Sequence, residues 1–120
     1  MYKIDFYEDV SGYSELKDFL EELDNSHQPS DQVLLRKIFY QISRLRALGP
    51  QLREPHSKFL KGLRYPLMEL RPIPERIFYA TGQVNHYILL HHYLKRQNST
   101  SNREVKKALK FLEDWKRREG

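Results

Sequence analysis

The opening residues alternate Tyr2, Ile4 and Phe6 against Lys3, Asp5 and Tyr7, a period of two that predicts a strand over residues 2 to 8 with one face buried. The period then lengthens. Tyr13, Leu16, Phe19, Leu20 and Leu23 recur at spacings of three and four, which predicts an amphipathic helix capped by Ser14. Residues 25 to 29 read as a turn. Beyond it Ser30 is placed to cap a longer helix with Val33, Leu34, Ile38, Ile42, Leu45 and Leu48 on its buried stripe, and Gly49-Pro50 stops that helix. So short a joint sets the two helices side by side, as an antiparallel hairpin covering one face of a sheet.

Residues 50 to 62 hold Pro50, Pro55 and Gly62 among basic residues and predict a loop with a short strand around Phe59. Three strands are then expected over residues 63 to 71, 76 to 81 and 85 to 94, broken by Pro72 and Pro74 and turned at Gly82-Gln83-Val84, which makes an antiparallel meander. Pro66 has no N–H for a ladder and belongs at a strand start, a bulge or an edge. After a polar run over residues 97 to 102, Val105, Ala108, Leu109, Leu112 and Trp115 trace the apolar face of a last helix. Its other face carries Lys106, Lys107, Lys110, Lys116 and Arg117. The order of elements predicts an α+β fold in one domain over residues 1 to 120. A first strand and a helix hairpin pack on an antiparallel sheet, with a C-terminal helix.

Composition narrows the function. A chain of 120 residues supports one core, not two. The net charge of +5 conceals an asymmetry: residues 1 to 32 hold 2 basic and 9 acidic side chains, and the rest hold 19 basic and 7 acidic. A surplus of +12 on that remainder suits a polyanion, of which nucleic acid is the commonest. The absence of cysteine removes disulfides, thiolate nucleophiles and cysteine-based zinc sites, and fits a reducing compartment. Acids stand where a signal peptide needs an apolar stretch, and no apolar run approaches membrane-spanning length, so the cytoplasm is the expected location, with no membrane partner.

Strand alternation puts Leu67, Glu69 and Arg71 on one face and Met68 and Leu70 on the other, and Arg76 opens the next strand across a short turn. Glu69, Arg71 and Arg76 are therefore expected to cluster. Paired guanidinium groups suit phosphate chemistry, because each presents several fixed donors and stays charged at every working pH. The plainer alternative is an exposed cross-strand ion pair, with both arginines in solvent. On the third meander strand, strict alternation places Tyr87, Leu89, His91 and Tyr93 on one face and Ile88, Leu90, His92 and Leu94 on the other, followed by Lys95-Arg96. His91, His92 and Lys95 are the candidate proton-transfer groups, against the alternative that each histidine is structural or simply exposed. Lys58, Lys61 and Arg64, interleaved with Phe59 and Tyr65, read as a backbone-contacting patch with an aromatic for stacking, or as a solvated loop with Phe59 in the core. The acids are too sparse for a two-metal centre and the histidines lack paired zinc spacing, so neither a metal nor any cofactor is expected.

Taken together, Lys58-Phe59-Leu60-Lys61-Gly62, Leu67-Met68-Glu69-Leu70-Arg71, Arg76-Ile77-Phe78-Tyr79 and the run from Ile88 to Arg96, followed by Arg103-Glu104-Val105 and Ala108, resemble the phage-derived branch of the HigB/RelE toxins. The resemblance implies a RelE-like fold and a toxin that enters the ribosomal A site and cuts messenger RNA, held in check by a small helix-turn-helix antitoxin of HigA type. It also implies that Arg71 and Arg76 contact the scissile phosphate and that Lys58, Lys61, Lys95 and Arg96 are basic positions of the site. The chain departs from that branch at Met68, where an aromatic is common, at His92, where Gly is common, and at Ser101, where Pro is frequent. Two other readings share the basic surface: a non-catalytic nucleic-acid or ribosome-binding module, and a relative that poisons another target such as DNA gyrase.

Overall fold

A computed structural model describes residues 1–94 and 102–119. Along the chain run β1 (Lys3–Phe6), α1 (Glu15–Asn25), α2 (Pro29–Leu48), a 3-10 turn (Gly49–Gln51), β2 (Ser57–Leu60), β3 (Leu67–Leu70), β4 (Glu75–Thr81), β5 (His86–Leu94) and α3 (Asn102–Glu119). The sequence predicts this α+β order, and the boundaries move for identifiable reasons. Ser14 caps α1 as its spacing implies, its Oγ accepting the Lys17 N–H at 3.1 Å. Ser30 does not cap α2: the cap is Gln28, two residues earlier, and Pro29 follows in the first turn, where a missing N–H costs nothing. Val33 is exposed and Leu35 takes its place in the core, so the buried stripe of α2 is Leu35, Ile38, Ile42 and Leu45. Gly49 ends α2 at φ 53°, and any Cβ there would overlap the Tyr2 ring, so only glycine serves. The strand expected over residues 63 to 71 shrinks to Leu67–Leu70, and Pro66 stands immediately before its first residue.

The joint between α1 and α2 is tied from both sides. Gln32 donates from Nε2 to the carbonyls of Leu23 at 3.0 Å and Ser26 at 2.9 Å, and Ser26 Oγ donates to Asp31 at 2.6 Å. The two Gln32 bonds engage carbonyls at the end of α1, and the Ser26 bond ties that end to the first turn of α2.

The five strands lie in the order β1-β5-β4-β3-β2. All neighbours pair antiparallel except β1, which runs parallel to β5 in the register Lys3↔His86 through Phe6↔Leu89. Both faces of the sheet are covered. Leu16, Leu20, Leu23 and the α2 stripe pack on Leu70, Ile77, Tyr79, Tyr87 and Leu89. On the opposite side Ala108, Leu112 and Trp115 of α3 pack on Leu67, Phe78, Ala80, Ile88, Leu90 and Tyr93. Each fully buried aliphatic or aromatic side chain contributes roughly 1.5 to 3 kcal/mol of transfer free energy, enough for the two layers to hold the sheet between them. Among the described residues no helix is long and apolar enough to cross a membrane.

One irregularity decides where the polar residues of β5 point. Phe78 pairs with His91 but Tyr79 pairs with Leu89, so Leu90 is an extra residue in β5, a β-bulge. The bulge reverses the alternation. Tyr87 and Leu89 face the helix hairpin, Leu90 and His91 both face α3, His92 faces the hairpin and Tyr93 faces α3. Strict alternation, which puts Tyr87, Leu89, His91 and Tyr93 together, is thus corrected at His91.

Candidate active site

Register alone brings the basic residues into one row. Lys58 of β2 is opposite Glu69 of β3, Glu69 is opposite Phe78 of β4, and Phe78 is opposite His91 of β5. One step along, Arg76 is opposite Tyr93. Residues directly opposite share a face, so Lys58, Glu69, Arg76, His91 and Tyr93 all lie on the side that α3 covers. Arg71, two residues past Glu69, joins them.

At the centre is Glu69, fully buried at 0% exposure. Its Oε2 accepts the Tyr93 hydroxyl at 2.6 Å. Its Oε1 lies 3.4 Å from Arg71 Nε and 3.7 Å from Arg76 Nε. Arg71 also reaches Glu54, 4.0 Å away, and Arg76 donates from Nη1 to the carbonyl of Glu75 at 3.1 Å. The sequence expectation of two solvated arginines is therefore corrected: their side chains are only 19% and 11% exposed, because Glu69 draws both guanidinium groups down onto the sheet. Two cations share the one fully buried carboxylate, and Arg71 has exposed Glu54 as a second, more distant partner. Each guanidinium has five N–H donors, and the bonds from Arg71 Nε to Glu69 and from Arg76 Nη1 to the Glu75 carbonyl use one apiece, which leaves donors for a further acceptor. Such an arrangement suits a phosphate whose charge grows during reaction.

The other expected site residues divide. Lys58 and Lys61 line a groove of about 490 Å³ with Leu60, Leu63, Asn102 and Val105, beside the arginine cluster. Arg64 is tied to α3 by Glu113, 2.6 Å away, and lies over the Tyr65 ring. Phe59 is not in the core; it is half exposed on the hairpin side, at a second cavity of about 600 Å³ that Met68, Tyr79 and Tyr87 also line. His92 is separated from the arginines by the sheet itself, stacked on Phe19 with centroids 4.0 Å apart and bonded through Nδ1 to Glu75 at 3.0 Å. Lys95, Arg96 and Ser101 lie outside the described residues.

His91 stays on the arginine side but is buried. Its Nε2 meets Glu104 of α3 at 3.0 Å, and its Nδ1 is 3.9 Å from Glu15, which in turn pairs with Lys107 at 2.8 Å. Glu15 can reach it because β1 ends opposite Leu89, leaving β5 uncovered at His91. Burial holds the imidazole below its ordinary value, with Lys107 and His92 acting in the same direction and Glu104 and Glu15 opposing. Below about pH 6.5 the unfolded chain then binds a proton that the folded one resists, so stability is expected to fall as pH drops from 6.5 toward the lowered folded value. Urea midpoints measured from about pH 7.5 to about pH 5.5 should decline more steeply for the native chain than for His91→Gln. Equal slopes would remove His91 from the acid response.

Tyr93 is the residue that sequence reasoning leaves out of the site. Alternation groups it with the wrong neighbours, and nothing local signals that its hydroxyl closes on a buried carboxylate 24 positions earlier. Among the described residues no group of three His, Asp or Glu side chains is placed to hold a metal ion.

Residues 18–113 match a protein family described as phage-derived protein Gp49-like (DUF891). The matched segment runs from within α1 to near the end of α3 and contains the whole Glu69 cluster. No curated protein matches the chain.

Proposed function

The chain belongs to the phage-derived Gp49-like family, a family of RelE/HigB toxin type, and from that premise we propose that it is a ribosome-dependent endoribonuclease that cleaves messenger RNA without a metal. The observation that carries the reading is the convergence of Arg71 and Arg76 on buried Glu69, beside Lys58 and on the same face as His91 and Tyr93. In the proposed reaction the substrate's own 2′-oxygen attacks the phosphorus and loses its proton to a side chain. The bond to the 5′-oxygen breaks, and that oxygen receives a proton from a second group. The products are a 2′,3′-cyclic phosphate and a free 5′-hydroxyl.

Arg71 and Arg76 hold the phosphate oxygens as charge accumulates, and Lys58, Lys61, Arg64 and Arg96 track the neighbouring backbone. Proton transfer falls to a group among His91, His92, Lys95 and Tyr93; His91 and Tyr93 share the arginine face, His92 faces the helix hairpin, and Lys95 lies outside the described residues. The proposed partners are the ribosome with its messenger and a neutralising helix-turn-helix antitoxin, and the proposed location is the cytoplasm.

The test is cleavage of a translated messenger with chelator present, compared with the same messenger carrying 2′-deoxyribose at the cut. The expected result is a cyclic phosphate end on the first and survival of the second. Ribosome binding with no cut in either substrate would leave a non-catalytic ribosome-binding module in place of the enzyme.

A further inference from the structure

The outward face of α2 has the wrong chemistry for a solvated surface. A helix on the outside of a domain normally pairs one apolar stripe with a polar one, yet α2 exposes Val33, Phe39 and Tyr40 in addition to its buried stripe. Val33, Tyr40 and Ala47 recur every seven residues, so they lie along one line of the helix. Exposed Ile73, in the turn between β3 and β4, extends the patch; Lys37 reaches its carbonyl at 3.4 Å.

The charges around this line are all of one sign. Arg36, Lys37, Arg44 and Arg46 flank it, and no acid occurs between Asp31 and Glu54. Among the described residues none of the four cations is in an ion pair. Arg44 instead folds back over Tyr40, its guanidinium 5.7 Å from the ring centroid and its Nη1 3.4 Å from the hydroxyl. Some cations elsewhere do find acids, as Lys17 does with Glu8, Arg64 with Glu113 and Lys107 with Glu15, whereas this stretch of α2 has no acid within reach along its own helix.

We propose that this face is a docking surface for an acidic amphipathic helix of a partner protein. Apolar residues seven apart with cations on both flanks are the complement of a helix that carries its own apolar stripe between rows of Asp and Glu. Burial of Val33, Ile73 and the Tyr40 ring rewards apolar side chains, which a phosphate backbone does not supply, and this favours a protein over RNA. The surface lies on the hairpin side of the sheet, opposite the Arg71 and Arg76 cluster, so the partner can sit there whether or not the arginines cleave RNA.

The probe is a fluorescent synthetic helix about 18 residues long, with Leu on one stripe and Glu on its flanks. It is titrated against the full chain by anisotropy. Saturable binding is expected. It should weaken about tenfold or more in Tyr40→Ala and in the combined Arg36→Glu, Lys37→Glu, Arg44→Glu variant, and stay unchanged in Lys110→Ala on α3. Tyr40, Arg36, Lys37 and Lys110 are exposed and Arg44 is half-buried, so circular dichroism checks that each variant is folded. A companion peptide with Ser in place of Leu should bind far more weakly. Absence of binding, binding that ignores Tyr40→Ala, or equal binding of the Ser peptide and of a single-stranded RNA of the same charge would overturn the proposal, the last by making the face a general polyanion surface.

Discussion

Arg71→Ala and Arg76→Ala are each expected to lower the rate of messenger cleavage by about a hundredfold, the scale of removing one donor aimed at transition-state charge. Their burial makes the folding control essential. Each arginine side chain is more than four-fifths covered and lies against a carboxylate with no access to solvent, so its truncation also weakens the fold. Rates therefore belong at a temperature where circular dichroism shows both variants folded. Arg71→Lys and Arg76→Lys separate the two effects. A lysine keeps the charge beside Glu69, and with it most of the stability, but loses the planar fork that grips two phosphate oxygens. The lysine variants should stay folded and still cut slowly. Should the folded alanine variants cut translated messenger at near-native rates, the cluster is architectural and the phosphate is held elsewhere.

Glu69→Ala is expected to cost about 3 to 5 kcal/mol of stability, as removing one partner of a buried ion pair does, because it strands two guanidinium groups and the Tyr93 hydroxyl around an empty space. Glu69→Gln should cost less, since one amide oxygen still accepts the Tyr93 hydroxyl. Tyr93→Phe should cost about 1 to 3 kcal/mol by leaving one carboxylate oxygen short of a donor. Chemical denaturation of the three variants measures this directly. A loss below about 1 kcal/mol in Glu69→Ala would mean that the arginines find water or other acceptors at no expense, and that Glu69 does not organise them.

These two expectations differ from what local pattern alone supports. The sequence by itself determined the order of elements, because the switch from a period of two to a period of three and four marks strand and helix wherever one face is buried. It determined the stops as well, through Ser14, Gly49 and the prolines around β3. It also brought Glu69, Arg71 and Arg76 together, since two residues on one strand face and a third across a short turn have few other places to go. The charge asymmetry and the short motifs from residue 58 onward are likewise properties of the chain, whatever its fold.

Only the tertiary structure decided how deep that cluster lies. A strand with Glu and Arg on one face reads as half exposed until β5 brings the Tyr93 hydroxyl onto Glu69, and a partner 24 positions later leaves no trace in the local alternation. The same holds for β1, whose apolar alternation is equally consistent with either strand direction; its parallel pairing depends on which edge of the sheet is free. The histidines show the limit most clearly. A strict period of two assigns His91 and His92 to faces by counting, but the single extra residue at Leu90 shifts the count, and a bulge is a property of the pairing between β4 and β5 rather than of either strand. That one residue puts His91 on the arginine side and His92 behind the sheet, because side-chain direction along a strand is set by the ladder it joins.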